Sequence, residues 1–274
     1  MTKQHLIFTD LDGTLLDHHT YSFAPALSTL NKLAKQDIPV IANTSKTFAE
    51  LIEIRGAMGL TTPFIVENGA AIYIPISFLK EQPQDTVLKN GSWVKEFSSP
   101  ISHWLEVLEQ LKDQFSGEFS HFANMSIEDI CDCTGLSEHD ATLASTREYC
   151  EPVLWKGSQS SQTRFVEALQ QLGASPLQGG RFLHVTGKCN KGTALTWLMS
   201  EYKKQFPDHL CQSIALGDGQ NDIAMLEAAD VAVRIKSPTS PLPALTRKNN
   251  VLTSDKFGPE GWAECIETLI FTTL

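Results

Sequence analysis

The sequence has no long uninterrupted apolar run, no surplus of basic residues, no cysteine spacing of the framework type, no internal repeat and no low-complexity tract. Without an apolar run of about 20 residues there is no transmembrane helix to expect. The short apolar stretch after Met1-Thr2-Lys3-Gln4-His5 is broken by Asp10 and Asp12, which argues against a signal peptide. Lys and Arg number 22 against 32 Asp and Glu, a net charge of -10. Such a chain repels nucleic-acid backbones and anionic membranes at long range, so neither is an expected partner. Six cysteines (Cys131, Cys133, Cys150, Cys189, Cys211, Cys265) are scattered. In the absence of a secretion signal they read as free thiols in a reducing cytoplasm. Cys131-x-Cys133 has no second Cys/His pair at zinc-site spacing and reads as two small apolar residues in a helix.

What is present is enough apolar material, 42% of 274 residues, for one large core or two modest ones. The first segment alternates strand and helix signals. His5-Leu6-Ile7-Phe8-Thr9 and Ile38-Pro39-Val40-Ile41-Ala42 read as strands, with Leu27, Leu30 and Leu33 at helical spacing between them. Phe64-Ile65-Val66 is a third strand, and Ala71 to Ile74 follows Asn68-Gly69 as a hairpin partner. This rhythm predicts an α/β fold built on a doubly wound, mostly parallel, Rossmann-like sheet. It lapses near Gln82, at Pro83 and Asn90-Gly91, and an amphipathic helix with Ile101, Trp104, Leu105, Leu108, Leu111 and Phe115 begins beyond Pro100. It resumes after Arg181-Phe182-Leu183-His184-Val185. The expected organisation is a core from 1–85 and 186–274 around an inserted α+β unit at 86–185.

Two acidic clusters carry the chemistry. Asp10-Leu11-Asp12-Gly13-Thr14 follows the first strand, and Gly217-Asp218-Gly219-Gln220-Asn221-Asp222 follows the apolar run Ser213-Ile214-Ala215-Leu216. In open α/β sheets, ligands bind at the carboxyl ends of the strands. Alone, an Asp-x-Asp is most often an ordinary turn, but two clusters at strand ends make a site. Each unit-charge pair 4 Å apart costs about 4 kcal/mol at an effective dielectric of 20. A divalent cation or protonation must relieve that repulsion, and oxygen ligands from two loops suit Mg²⁺. Asn43-Thr44-Ser45-Lys46 could hold phosphate oxygens before a helix, and Lys191 could offset their charge.

These elements in this order resemble the haloacid dehalogenase superfamily, in its capped sugar-phosphatase branch. The resemblance implies Asp10 as nucleophile, forming an aspartyl-phosphate, and Asp12 as acid and base, with Thr44 and Lys191 completing the catalytic set. It further implies Mg²⁺ as cofactor, held by the Asp10 carboxylate, the Asp12 backbone carbonyl and Asp218, with Asn221 and Asp222 in support. A finer resemblance, to the mannosyl-3-phosphoglycerate phosphatase family, rests on Asn43 to Thr47, Glu67-Asn68-Gly69-Ala70, Arg147 to Pro152, Gly179 to His184 and Gly258-Pro259-Glu260-Gly261-Trp262. It implies a small phosphorylated sugar or glycerate substrate, hydrolysed to mannosylglycerate and phosphate, met by Ser45, Lys46, Glu67, Asn68, Arg147, Glu151, Arg181 and His184. Arg147 is the expected partner of the glycerate carboxylate, because a guanidinium pairs with it bidentately. Three other readings stay open: a phosphomannomutase-like phosphotransferase, a phosphatase of another small sugar phosphate, and a catalytically silent sugar-phosphate sensor.

Overall fold

The computed structural model describes residues 2–179 and 181–272. Gly180, one residue of the Gly179 to His184 motif, lies outside them. The chain opens with β1 (Thr2–Thr9), α1 (Leu27–Lys35), β2 (Val40–Asn43), α2 (Phe48–Met58), β3 (Phe64–Val66) and β4 (Ala71–Pro75). Next come β5 (Val87–Lys89), β6 (Ser92–Glu96), α3 (Ile101–Leu111), β7 (Phe119–His121), α4 (Ile127–Thr134) and α5 (Glu138–Ser145). β8 (Glu151–Trp155), α6 (Gln159–Gln171), β9 (Leu177–Gln178) and β10 (Leu183–Val185) follow. The last part comprises α7 (Lys191–Gln205), β11 (His209–Gly217), α8 (Ile223–Ala228), β12 (Val231–Lys236), β13 (Val251–Phe257) and α9 (Gly258–Ile266).

The larger sheet has nine strands among the described residues, in the order β13-β12-β11-β1-β2-β3-β4-β6-β5. Pairing is parallel from β13 to β3 and antiparallel from β3 to β5. β1 shows why the sequence reads as it does: Ile7 packs on one face, and Leu6 and Phe8 on the other, all three fully buried. A parallel sheet covered on both faces has no polar side to alternate with. Leu30, Leu33, Leu51 and Trp262 cover one face; Leu195, Leu198, Met199 and Met225 cover the other. β1 lies between β2 and β11, so the chain leaves it in opposite directions, and its carboxyl end is the switch point where a crevice forms.

A second sheet, β7-β8-β10-β9, is wholly antiparallel. Its own core contains Trp104, Leu108, Leu111, Phe115, Val153, Phe165 and Leu169. The strands at 87–96 do not belong to it. Asn90 and Gly91, both at positive φ, make a two-residue turn that returns β6 against β5, and β6 pairs with β4 in the larger sheet. The Asn-Gly signal read as a lapse in the core rhythm is the hairpin that extends the core sheet. Ser126 and Ser137 cap α4 and α5, each hydroxyl accepting from the backbone N–H three residues on.

Candidate active site

The register of β1 with β11, Thr9 opposite Leu216, delivers both acidic clusters to one sheet edge. Asp10 is held there by its N–H to Leu216 O at 2.9 Å. Beneath it, Thr9 Oγ1 accepts from Trp262 Nε1 at 3.0 Å and donates to Asp10 O at 2.7 Å. The Gly258 to Trp262 segment thus serves the site through the backbone. Gly13, at φ +75, allows the turn to close against Asp218; a Cβ there would lie 2.6 Å from Asp218 Oδ2. Thr14 Oγ1 donates to Asp218 Oδ1 at 2.9 Å.

Lys191, fully buried, sits between Asp10 Oδ1 and Asp222 Oδ1, 2.7 Å from each. Burial alone would lower its pKa; the Asp10 and Asp222 carboxylates reverse this, and the net shift is upward, so the ammonium is held charged. Asp222 also accepts at Oδ2 from the N–H groups of Asp218 and Gly219 at 3.1 and 2.9 Å. Asp10, Asp218 and Asp222 each bring one oxygen within 4.8 Å of the others. Burial and the facing Asp10 raise the pKa of both Asp218 and Asp222. One ammonium does not balance three carboxylates at this range. The surplus of hard, closely spaced oxygens fits a divalent cation of the Mg²⁺ type.

Asp12 faces different company. Its carboxyl pKa is raised by burial and by Asp10, against the opposing effect of Lys46, whose Nζ lies 3.1 Å from Asp12 Oδ1. Lys46 ends the loop after β2, and the same ammonium reaches Glu50 at 3.4 Å. Asn43 Nδ2 donates to Lys191 O at 2.9 Å, which ties this loop to the start of α7.

A cavity of about 200 Å³ opens over Asp10, Asp12, Ser45, Asn68, His184, Asp218 and Asn221. Thr44 and Lys191 are buried beneath it, and Asn221 Nδ2 donates to Asn68 Oδ1 at 3.1 Å. A larger cleft of about 460 Å³ lies alongside, between α2 and α5, and includes Lys46 and Tyr21. Asp10, Asp12 and Asp218 line the smaller cavity, which therefore contains the chemistry.

Four residues expected to meet substrate are occupied otherwise. Arg147 donates from Nε to Cys150 O at 2.9 Å and from Nη2 to Ser45 O at 3.0 Å. Glu67 is fully buried and accepts from three backbone N–H groups. Glu151 accepts from His121 Nδ1 at 2.8 Å and Ala123 N at 2.7 Å. Arg181 donates to Cys133 O at 2.6 Å. Sequence reasoning picks out charged residues near a motif, but nothing in it shows which are already bonded to backbone. It also passed over His18, Gln178, Thr239 and Ser240, which line the cavity mouth. His18 lies six residues beyond Asp12, and the Pro-bracketed loop holding Thr239 and Ser240 reaches it at 3.3 Å.

The haloacid dehalogenase-like hydrolase family matches residues 7–106 and 159–248. A glucosyl-3-phosphoglycerate/mannosyl-3-phosphoglycerate phosphatase from Methanococcoides burtonii is 34% identical over 267 residues, 97% of each chain. Among solved structures, a phosphatase of the haloalkanoate superfamily from Bacteroides thetaiotaomicron superposes with a TM-score of 0.62 at 20% identity over 86% of each chain. A subclass IIB sugar phosphatase, BT4131, superposes with a TM-score of 0.58 at 16% identity over 85% of this chain and 87% of its own.

Proposed function

Since the chain belongs to the haloacid dehalogenase-like hydrolase family and is a phosphatase, we propose that it hydrolyses 2-O-mannosyl-3-phosphoglycerate through an aspartyl-phosphate on Asp10. The observation that carries this reading is the contrast between two carboxyl groups two residues apart. Lys191 Nζ lies 2.7 Å from the Asp10 carboxylate, whereas Asp12 faces Lys46 at the cavity, and burial and Asp10 raise its pKa against the pull of that ammonium. Two carboxyl groups set among different charged neighbours can divide into nucleophile and acid.

In this mechanism an Asp10 carboxylate oxygen attacks phosphorus, and the bond from phosphorus to the glycerate 3-oxygen breaks as Asp12 gives that oxygen its proton. Asp12 then takes a proton from water, which displaces Asp10 and releases phosphate. Splitting the hydrolysis into two displacements lowers each barrier. Thr44 and Ser45 belong to the loop after β2 that meets the phosphoryl group, and Lys191 sets its ammonium 2.7 Å from the Asp10 carboxylate. Mg²⁺, when bound, would be held by the Asp10 and Asp218 carboxylates and the Asp12 backbone carbonyl, with Asn221 and Asp222 in support, and would supply positive charge to the phosphoryl oxygens.

Residues after Phe97, carrying the antiparallel sheet, form the cap that reads the remainder of the substrate. His184 and Gln178 reach the cavity from that side, opposite His18, Thr239 and Ser240. The free thiols support a cytoplasmic location, and no helix among the described residues is long and apolar enough to cross a membrane.

A phosphate-release screen tests the reading, using mannosyl-3-phosphoglycerate, its glucosyl counterpart, mannose phosphates and a small aryl phosphate. Mannosyl-3-phosphoglycerate should give the highest kcat/KM, chelation should stop turnover and Mg²⁺ should restore it. Isomerisation of a sugar phosphate without phosphate release would assign a phosphotransferase instead.

A further inference from the structure

Glu67 and Arg147 stand between the large sheet and the returning cap segment without reaching the cavity. The Glu67 carboxylate accepts from three successive N–H groups, of Glu148 at 2.9 Å, Tyr149 at 3.1 Å and Cys150 at 2.8 Å. Arg147 Nε faces it at 3.5 Å. On the other side, three successive carbonyls of the loop after β2 are each held. Thr44 O accepts from Asn68 N at 2.8 Å and Lys46 O from Glu67 N at 3.0 Å. Between them, Ser45 O accepts from Arg147 Nη2 at 3.0 Å.

We propose that Glu67 and Arg147 are positioning residues that use the docked cap to fix the loop Thr44–Lys46 against Asp12. The reasoning is local. That loop presents Ser45 at the cavity, keeps Thr44 buried behind it and ends at Lys46, 3.1 Å from Asp12 Oδ1. Its middle carbonyl is fixed by a cap side chain, and its flanking carbonyls by residues on either side of the Glu67–Asn68 peptide. That corner has left-handed backbone at both residues, φ +48 and +60, a conformation that persists where the surroundings over-determine it. The carboxylate in the N–H cradle supplies that restraint through charge-assisted hydrogen bonds. Removing either partner frees Ser45 O or three cap amides, and the loop can drift from Asp12. Misplacing a catalytic group by about 1 Å can cost on the order of 10²-fold in rate.

The proposal rests on the reading of Asp10 and Asp12 as the reacting pair, and the experiment separates the two. Glu67→Gln and Arg147→Met should each lower kcat about 10- to 100-fold, on a small aryl phosphate and on mannosyl-3-phosphoglycerate alike, with KM changed less than about threefold. The double variant should be no slower than the slower single, because the two act as one unit. Amide hydrogen exchange at Glu148, Tyr149 and Cys150 should quicken in Glu67→Gln. Arg147→Lys, which keeps the charge but loses the fork, provides the kinetic comparison should Arg147→Met fold poorly. Loss confined to the carboxylate-bearing substrate would overturn the proposal and return Arg147 to substrate recognition. A lowered Tm with unchanged kcat well below it would overturn it in favour of a purely structural pair. Phosphatase activity surviving in Asp10→Asn would instead overturn the underlying site reading.

Discussion

The two sheets treat buried charge in opposite ways. At the carboxyl edge of the parallel sheet, Asp10, Asp218 and Asp222 converge on one ammonium and remain short of positive charge. In the cap, Glu151 is matched by His121 Nδ1 and Ala123 N. Each cap contact is complete in itself, whereas the core cluster is complete only with a ligand. The difference teaches where to look for chemistry: a charged residue that the protein has already satisfied is architecture, and one left in surplus beside a cavity is available to substrate or metal.

The comparison can be broken most severely at Lys191. Replacing it by Met leaves Asp10 and Asp222 buried without a counter-charge, which should lower stability by about 3 to 5 kcal/mol in the presence of chelator. Urea denaturation measures the loss, and phosphatase activity should vanish with it. A change under about 1 kcal/mol would mean that the carboxylates are not ionised around Lys191.

A smaller effect sharpens the cap side. Burial, aided by Arg147, pushes the His184 imidazole down from its ordinary 6.5 to about 3, so the folded protein keeps it neutral. Unfolded chains take up a proton below about 6.5 and the native state does not. The contribution of His184 to stability is therefore intact above that pH and declines as pH falls from 6.5 toward 3, by at most about 1.4 kcal/mol per unit. Subtracting the Tm–pH curve of His184→Gln from that of the parent protein should reveal that slope. Parallel curves would show a solvated His184.

Much of the site was legible because its chemistry is tied to strand ends. Asp10 and Asp218 follow apolar runs that can only be buried strands, and parallel pairing of β1 with β11 brings them together. Lys191 is legible as a lone lysine at a helix start, though its place between two carboxylates depends on the approach of α7 to that edge. The hydrogen-bond partners of Glu67 and Arg147 were not legible. Their partners are backbone amides of 148–150 and the carbonyls of Ser45 and Cys150, and backbone groups carry no residue-specific signal. The strands at 87–96 were hidden for a related reason. β5 exposes Val87 and Leu88 at the sheet edge, so its apolar residues do not mark a buried face.

The central claim is that Asp10 carries the phosphoryl group and Asp12 governs its arrival and departure. Asp12→Asn can still form the covalent intermediate from a substrate with a good leaving group, because departure then needs no proton, but it cannot activate water. The most direct test is mass spectrometry of Asp12→Asn quenched in acid during turnover of an activated aryl phosphate with Mg²⁺. The account predicts a phosphate adduct on the peptide containing Asp10, absent from Asp10→Asn. An adduct on another residue, or unimpaired turnover by Asp10→Asn, would contradict it.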